Sequence, residues 1–169
     1  MRRNLSLILI MLILLSGLAF GNFCTAQSGK LIPADWQHWK SGGAHFDLKL
    51  TSRGFLLIVL KAGGDKHDIQ IYSNNNLSLA KDRRYILRFK VKSNKDSITF
   101  NTRLGSESDE ISYCYRAIIV KDAGREELKE IQFVQTGELI KYLKIYFEFG
   151  QVDPDVRIEI NDVEITEEK

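Results

Sequence analysis

The sequence predicts an all-β protein, a sandwich or barrel of about nine antiparallel strands. Short segments alternate apolar and polar residues with period two, the mark of half-buried strands. Gly, Asn and Asp clusters punctuate them at regular intervals. No stretch carries the longer periodicity of an amphipathic helix.

The elements follow in chain order. Phe46-Asp-Leu-Lys-Leu50 alternates cleanly, and Phe55 to Leu60 is an apolar run of strand length. Asp68-Ile-Gln-Ile-Tyr72 puts Ile69 and Ile71 inward and Asp68, Gln70 and Tyr72 outward. Tyr85, Leu87, Phe89 and Val91 oppose Arg84, Arg88, Lys90 and Lys92. Ile98, Phe100 and Leu104 oppose Thr99, Asn101 and Arg103. Ile111 to Val120, Glu130 to Thr136, Tyr142 to Phe149 and Asp155 to Ile165 complete the set. Turn signals stand between them, among them Gly42-Gly43, Gly63-Gly64-Asp65, Asn74-Asn75-Asn76 and Asp153-Pro154.

The N-terminus reads differently. Arg2 and Arg3 precede the unbroken apolar run Leu7 to Leu15, and Cys24-Thr25-Ala26 offers a small-x-small cleavage site. That is the layout of a secretory signal peptide over residues 1–26. The strongly apolar stretch is shorter than the ~20 residues that span a bilayer, so the processed protein is expected not to be integral to the membrane. A surface lipoprotein anchored through Cys24 is the alternative, but Asn22 and Phe23 stand where lipid attachment wants small residues. The expected organisation is a signal peptide over 1–26, a lead over 27–44 and one β-sandwich domain over 45–169, secreted or periplasmic.

Charge and cysteine content exclude several functions. The 169-residue chain has a formal net charge of +2. Loss of residues 1–26 takes Arg2 and Arg3 from the 24 basic residues and none of the 22 acidic ones, leaving a neutral domain. Nucleic acid usually demands a basic one. Cys114 then stands alone, so no internal disulfide can form. His38, His45 and His67 lie at no zinc-ligand spacing. Neither a phosphate-binding glycine loop nor a Gly-x-Ser-x-Gly elbow occurs. The acidic pairs fall in turns or the tail. The chain is expected not to be an enzyme.

The stretch 55–165 resembles the carbohydrate-binding modules of the family 4/9 and family 22 type. Phe55-Leu-Leu-Ile-Val-Leu60 resembles the family's early apolar strand. His67-Asp-Ile-Gln-Ile71 resembles its aromatic-x-(Val/Ile)-Gln-(Leu/Ile) strand, with His67 where Trp is common. The segment from Leu77 through Lys81-Asp-Arg-Arg-Tyr85 to Phe89-Lys-Val-Lys-Ser93 resembles the Gly-Lys-x-Tyr stretch, without its Gly. Leu143 to Gly150 and Val156 to Ile165 resemble the last two strands. The resemblance implies a galactose-binding-like jelly-roll β-sandwich that holds a polysaccharide or glycan on one sheet face. It also implies a structural calcium, but Asn161-Asp162 reverses the family's Asp-Asn order, and few of the several oxygen ligands calcium needs can be named. No cofactor is expected and the metal site is unknown.

A sugar site needs an aromatic ring to stack on the pyranose and planar polar groups for its hydroxyls. In 142–149, Leu143, Ile145, Phe147 and Phe149 belong to the core and leave Tyr142, Lys144, Tyr146 and Glu148 on the other face. That strand also resembles the family's Tyr-x-Glu binding strand. Tyr146 and Glu148 are therefore the first candidates, followed by Gln70, Arg103 and Tyr72. Trp36 and Trp39 either cap one end of the sandwich or wall the site. Tyr113 and Tyr115 share a face with Ile111, Ala117 and Ile119 and read as core. The expected function is a secreted, non-catalytic carbohydrate-binding module. The alternative is a structural or protein-interaction sandwich of a bacterial cell-surface assembly.

Overall fold

The structure is a computed structural model. It describes residues 29, 30, 32, 35–75, 77–106, 112–136 and 140–168. The expected signal peptide and Cys24 lie outside the described residues. Side chains of Tyr113 and Tyr142 do too.

Twelve strands build the described part: β1 (Gly29–Lys30), β2 (Trp36–Lys40), β3 (His45–Leu50), β4 (Gly54–Lys61), β5 (Ile69–Ser73), β6 (Leu77–Leu79), β7 (Arg83–Ser93), β8 (Ile98–Gly105), β9 (Ser112–Val120), β10 (Glu127–Gln135), β11 (Ile140–Glu148) and β12 (Arg157–Glu167). They form two six-stranded sheets. The first runs β10-β7-β12-β4-β3 with β1 beside β12, and the second β2-β5-β11-β8-β9 with β6 beside β11. Every pairing is antiparallel. The nine expected strands are all present. The extra three are β1 and β6, too short to show alternation, and β2.

β2 corrects the expected domain division. Residues 27–44 are no mere lead, since Trp36–Lys40 pairs along β5 from Ser73 to Ile69 as an edge of the second sheet. Its sequence hides this. An edge strand has one covered face and one open one, and here the covered side is carried by Trp36 while Gln37, His38, Trp39 and Lys40 are exposed.

The sheets are held together by rings. Phe147 on β11 is fully buried and lies within 5.1–6.5 Å of Trp36, Phe55, Phe89, Phe100 and Phe149, centroid to centroid. Most of these pairs are tilted or edge-on, the arrangement that aromatic quadrupoles favour. Trp36 is therefore core and walls no site.

A short 3-10 turn, Lys66–Asp68, leads into β5. Asp68 does not face outward on a strand, as the alternation suggested. Its carboxylate accepts from the Ser41 hydroxyl and from the Gly64 and Asp65 N–H groups (2.7 and 2.8 Å). It thereby ties the turn to the β2–β3 connection. Gly42, in the left-handed region at φ +59°, lies against that carboxylate, and any Cβ there would overlap it. Gly150 allows a similar close approach, because a Cβ would collide with the Asp65 carbonyl. The turn is thus pinned against the end of β11, which fixes where Lys66 and His67 stand.

Two carboxylates make the fold acid-sensitive. Hydrogen bonds from Ser41, Asp65 and Gly64 lower the pKa of Asp68. Lys129 and the Asp122 and Lys121 N–H groups lower Glu127 from 4.5 to about 2. Both groups hold protons more weakly folded than unfolded. They therefore stabilise the fold above the ordinary carboxylate pKa of about 4, and that contribution is lost as pH falls toward the depressed values. The melting temperature is expected to stay level from pH 7 to about 5 and then drop. In Glu127→Gln the drop should be shallower, as a pH series of thermal melts would show.

Candidate functional site

The outer faces of the two sheets differ. On the first, Arg88 pairs with Glu130, and Lys90 and Arg53 both pair with Asp162. These are solvated ion pairs of small individual worth. On the second, tyrosines, a tryptophan and planar polar side chains share the face.

Register places them in two rows across the strands. Gln37, Tyr72, Tyr146, Arg103 and Tyr115 stand opposite one another from β2 to β9. Trp39, Gln70, Glu148, Asn101 and Ala117 form the adjacent row. Strand spacing of about 4.8 Å brings each directly opposite neighbour into side-chain contact.

The centre of the face is an ion cluster. Glu148 Oε1 accepts from Arg103 Nε at 3.3 Å and lies 3.0 Å from His67 Nδ1. A carboxylate only accepts, so the His67 proton is assigned to Nδ1. The Gln70 amide nitrogen, 3.4 Å from the same Nδ1, is then a neighbour of that N–H. The Arg103 guanidinium lies 3.9 Å from the Tyr146 ring centroid and donates to the Ser106 carbonyl. Tyr146 and Tyr72 meet at 5.6 Å, and Lys144 lies over Tyr72 at 5.1 Å. Lys66 lies over Tyr115 at 4.6 Å. Its pKa is raised by the hydrogen bond to Tyr115 and by the fields of Tyr115 and Glu148, against desolvation.

Six of the seven expected site residues are on this face: Tyr146, Glu148, Gln70, Arg103, Tyr72 and Trp39. Their accessibility differs from expectation. Tyr146, Arg103 and Glu148 are only 4%, 5% and 1% exposed. An outward position on a central strand is covered once long neighbours on both sides fold over it. Gln70 and Tyr72 are half-buried, and Trp39 is 48% exposed. The buried trio therefore forms a floor, and Trp39, Tyr72 and Gln70 provide the reachable surface.

Tyr115 corrects another expectation. The inward residues of β9 are Cys114, Ile118 and Val120, and Tyr115 faces outward opposite Arg103. Both faces of that strand are largely apolar, so alternation could not choose between them. Arg116, on the inward parity but exposed, pointed the wrong way. Asn101, Lys66 and Lys144 also belong to the face. The alternation of β8 and β11 marks Asn101 and Lys144, while nothing local marks Lys66.

On the closing strand Asn161 donates its amide to Glu159 at 2.9 Å while its buried Oδ1 has no hydrogen-bond partner, and Asp162 pairs with Arg53 and Lys90. Among the described residues no three His, Cys, Asp or Glu side chains gather to hold a metal ion. No helix among them is long and apolar enough to cross a membrane.

No protein-family model and no curated protein matches the chain. Solved structures do. A structure described as "CBM4 structure and function" is similar over 81% of this chain and 89% of its own, with TM-score 0.68 and 17% identity. The N-terminal cellulose-binding domain of Cellulomonas fimi β-1,4-glucanase C gives TM-score 0.62 and 14% identity over 81% and 91%. The family 11 carbohydrate-binding module of Clostridium thermocellum, solved with a β-1,3-1,4-mixed-linked tetrasaccharide, gives 0.53 and 12% over 83% and 96%. At such identities the likeness is one of fold, and the fold of this chain is the jelly-roll β-sandwich of the carbohydrate-binding modules.

Proposed function

We propose that the chain is a secreted, non-catalytic module that holds a glycan across the outer face of its second sheet. One observation carries this reading: five strands deliver aromatic and planar polar side chains to that face in two aligned rows. Trp39 offers a ring to the apolar side of a pyranose. Gln70 and Asn101 suit hydroxyls, which both donate and accept. The buried Tyr146–Arg103–Glu148 floor keeps the face from rearranging, so little ordering is needed on binding. Residues 1–26 would export the module. The neighbours' cellulose and mixed-linkage ligands make soluble β-glucans the first probes.

Trp39 should separate binding from stability. Truncation of an interface tryptophan commonly costs about 2 kcal/mol of binding, roughly thirtyfold in Kd. Because Trp39 is half exposed on an edge strand, Trp39→Ala should barely move the melting temperature. Titration calorimetry of the purified protein against soluble glucans, xylans and mannans tests both statements. If the protein binds none of them, the reading falls.

The burial of Tyr146, Arg103 and Glu148 also fits a protein-interaction sandwich, since it leaves a short row of ring surface. A pull-down giving one stable protein partner, together with no glycan binding, would establish that function instead.

A further inference from the structure

The second sheet's outer face does not end at Glu148. Beyond it, the 3-10 turn, β8 and the chain after β11 enclose a depression of about 290 Å³ lined by Lys66, Thr99, Asn101, Glu148, Gln151 and Val152. Small-molecule pockets begin at about 300 Å³, so this one has room for a single sugar ring. Its lining sets an ammonium, two amides, a hydroxyl and a carboxylate among the apolar surface of Phe100 and Val152.

The carboxylate is the unusual member. Glu148 is almost wholly buried, and Arg103 and His67 both sit on Oε1. Oε2 has no hydrogen-bond partner. Buried acceptors without a donor are rare and call for an explanation.

We infer that this depression is a subsite for one pyranose ring, in which one hydroxyl donates to Glu148 Oε2 and the adjacent oxygen accepts from Lys66. The inference rests on the glycan reading above. Neighbouring hydroxyls match a carboxylate beside an ammonium, because each can act as donor or acceptor. Lys66 is held in its charged form by Tyr115 and the Glu148 field. Asn101 and Gln151 present further amides to the ring. Oε2 is covered, so the ring enters as a lining side chain turns aside. Lys66, half-buried on a flexible stem, does so by exchanging its contact with the Tyr115 ring for the sugar oxygen.

The depression shares Asn101 and Glu148 with the second row and runs past it, along the strands, to Thr99 and Gln151. A polysaccharide crossing the strands through the two rows passes Asn101 but does not continue to Gln151. The ring it takes is therefore a side branch or a chain end.

The test uses ¹⁵N-labelled protein and three kinds of probe. Xyloglucan and galactomannan are branched. Barley β-glucan is long and unbranched. Cellohexaose and mannohexaose are short and rich in ends. The side-chain amide signal of Gln151 should shift with the branched or the short probes and not with barley β-glucan. Gln151→Ala should bind the same probes about tenfold more weakly and barley β-glucan like the parent. Shifts with the branched probes identify a branch, and shifts with the short ones alone identify a chain end. If a probe binds and Trp39→Ala weakens it, while the Gln151 amide stays silent and Gln151→Ala binds like the parent, the subsite is wrong and the glycan reading stands. Equal shifts with barley β-glucan also overturn it. If no probe binds, the glycan reading fails and takes the subsite with it.

Discussion

Glu148→Ala is expected to lose about 3–5 kcal/mol of folding stability, the cost of removing one partner from a buried ion pair. The size follows from where the charges sit. Arg103 keeps its guanidinium within a few per cent of full burial, against Tyr146 on one side and Glu148 on the other. With the carboxylate gone, the buried guanidinium loses its contact with Oε1, while the Tyr146 ring and the Ser106 carbonyl at 3.3 Å stay among its contacts. His67 loses its nearest acceptor as well. Replacing both charges, as in Arg103→Met/Glu148→Leu, should recover much of the loss, since apolar side chains of similar volume often match a buried ion pair. Urea unfolding followed by the fluorescence of buried Trp36 would read all three proteins. A loss under about 1 kcal/mol in Glu148→Ala would mean that the pair behaves like a surface one. The double replacement would also keep the fold while removing the carboxylate, so its effect on glycan binding reads the site alone.

That experiment is needed because position on a strand and accessibility are different quantities. The alternation Leu143, Ile145, Phe147, Phe149 against Lys144, Tyr146, Glu148 was legible in the sequence, and the structure follows it. Period two gives the side of the sheet. It does not say how far neighbouring strands cover that side. Arg103 comes from β8 and His67 from a turn far away in sequence, and only the strand order brings them onto Glu148. The same limit hid β2. Its partner β5 is more than thirty residues on, and without that partner Trp36 and Trp39 read as caps of one end of the sandwich or as a wall of the site. In fact one is core and the other surface, as their odd spacing along a strand requires. Tyr115 failed for a different reason: β9 is apolar on both faces, so its pattern holds no direction.

The largest packing effect should come from the residue next to Glu148. Phe147→Ala removes a fully buried ring that touches five other aromatic rings from both sheets. Buried Phe→Ala replacements cost about 3–5 kcal/mol, from lost transfer energy and from the cavity left behind. This site belongs at the upper end. Its neighbours come from β2, β4, β7 and β8, and from Phe149 just past the end of β11, so no single element can collapse into the gap without leaving its own ladder. Phe147→Leu keeps much of the volume and should cost clearly less, so the difference between the two variants measures the cavity. Denaturant unfolding at several temperatures would give both values. Equal losses for Ala and Leu would show that the ring contacts, and not the volume, hold the sheets together. Binding should respond differently from stability. Glu148 stays in register with Gln70 and Asn101 through the backbone ladder of β11, not through Phe147. At temperatures where Phe147→Ala remains folded, its glycan affinity should therefore stay close to that of the parent. One strand then carries core and site on alternate residues, and a loss of affinity in this variant would show that the two are coupled.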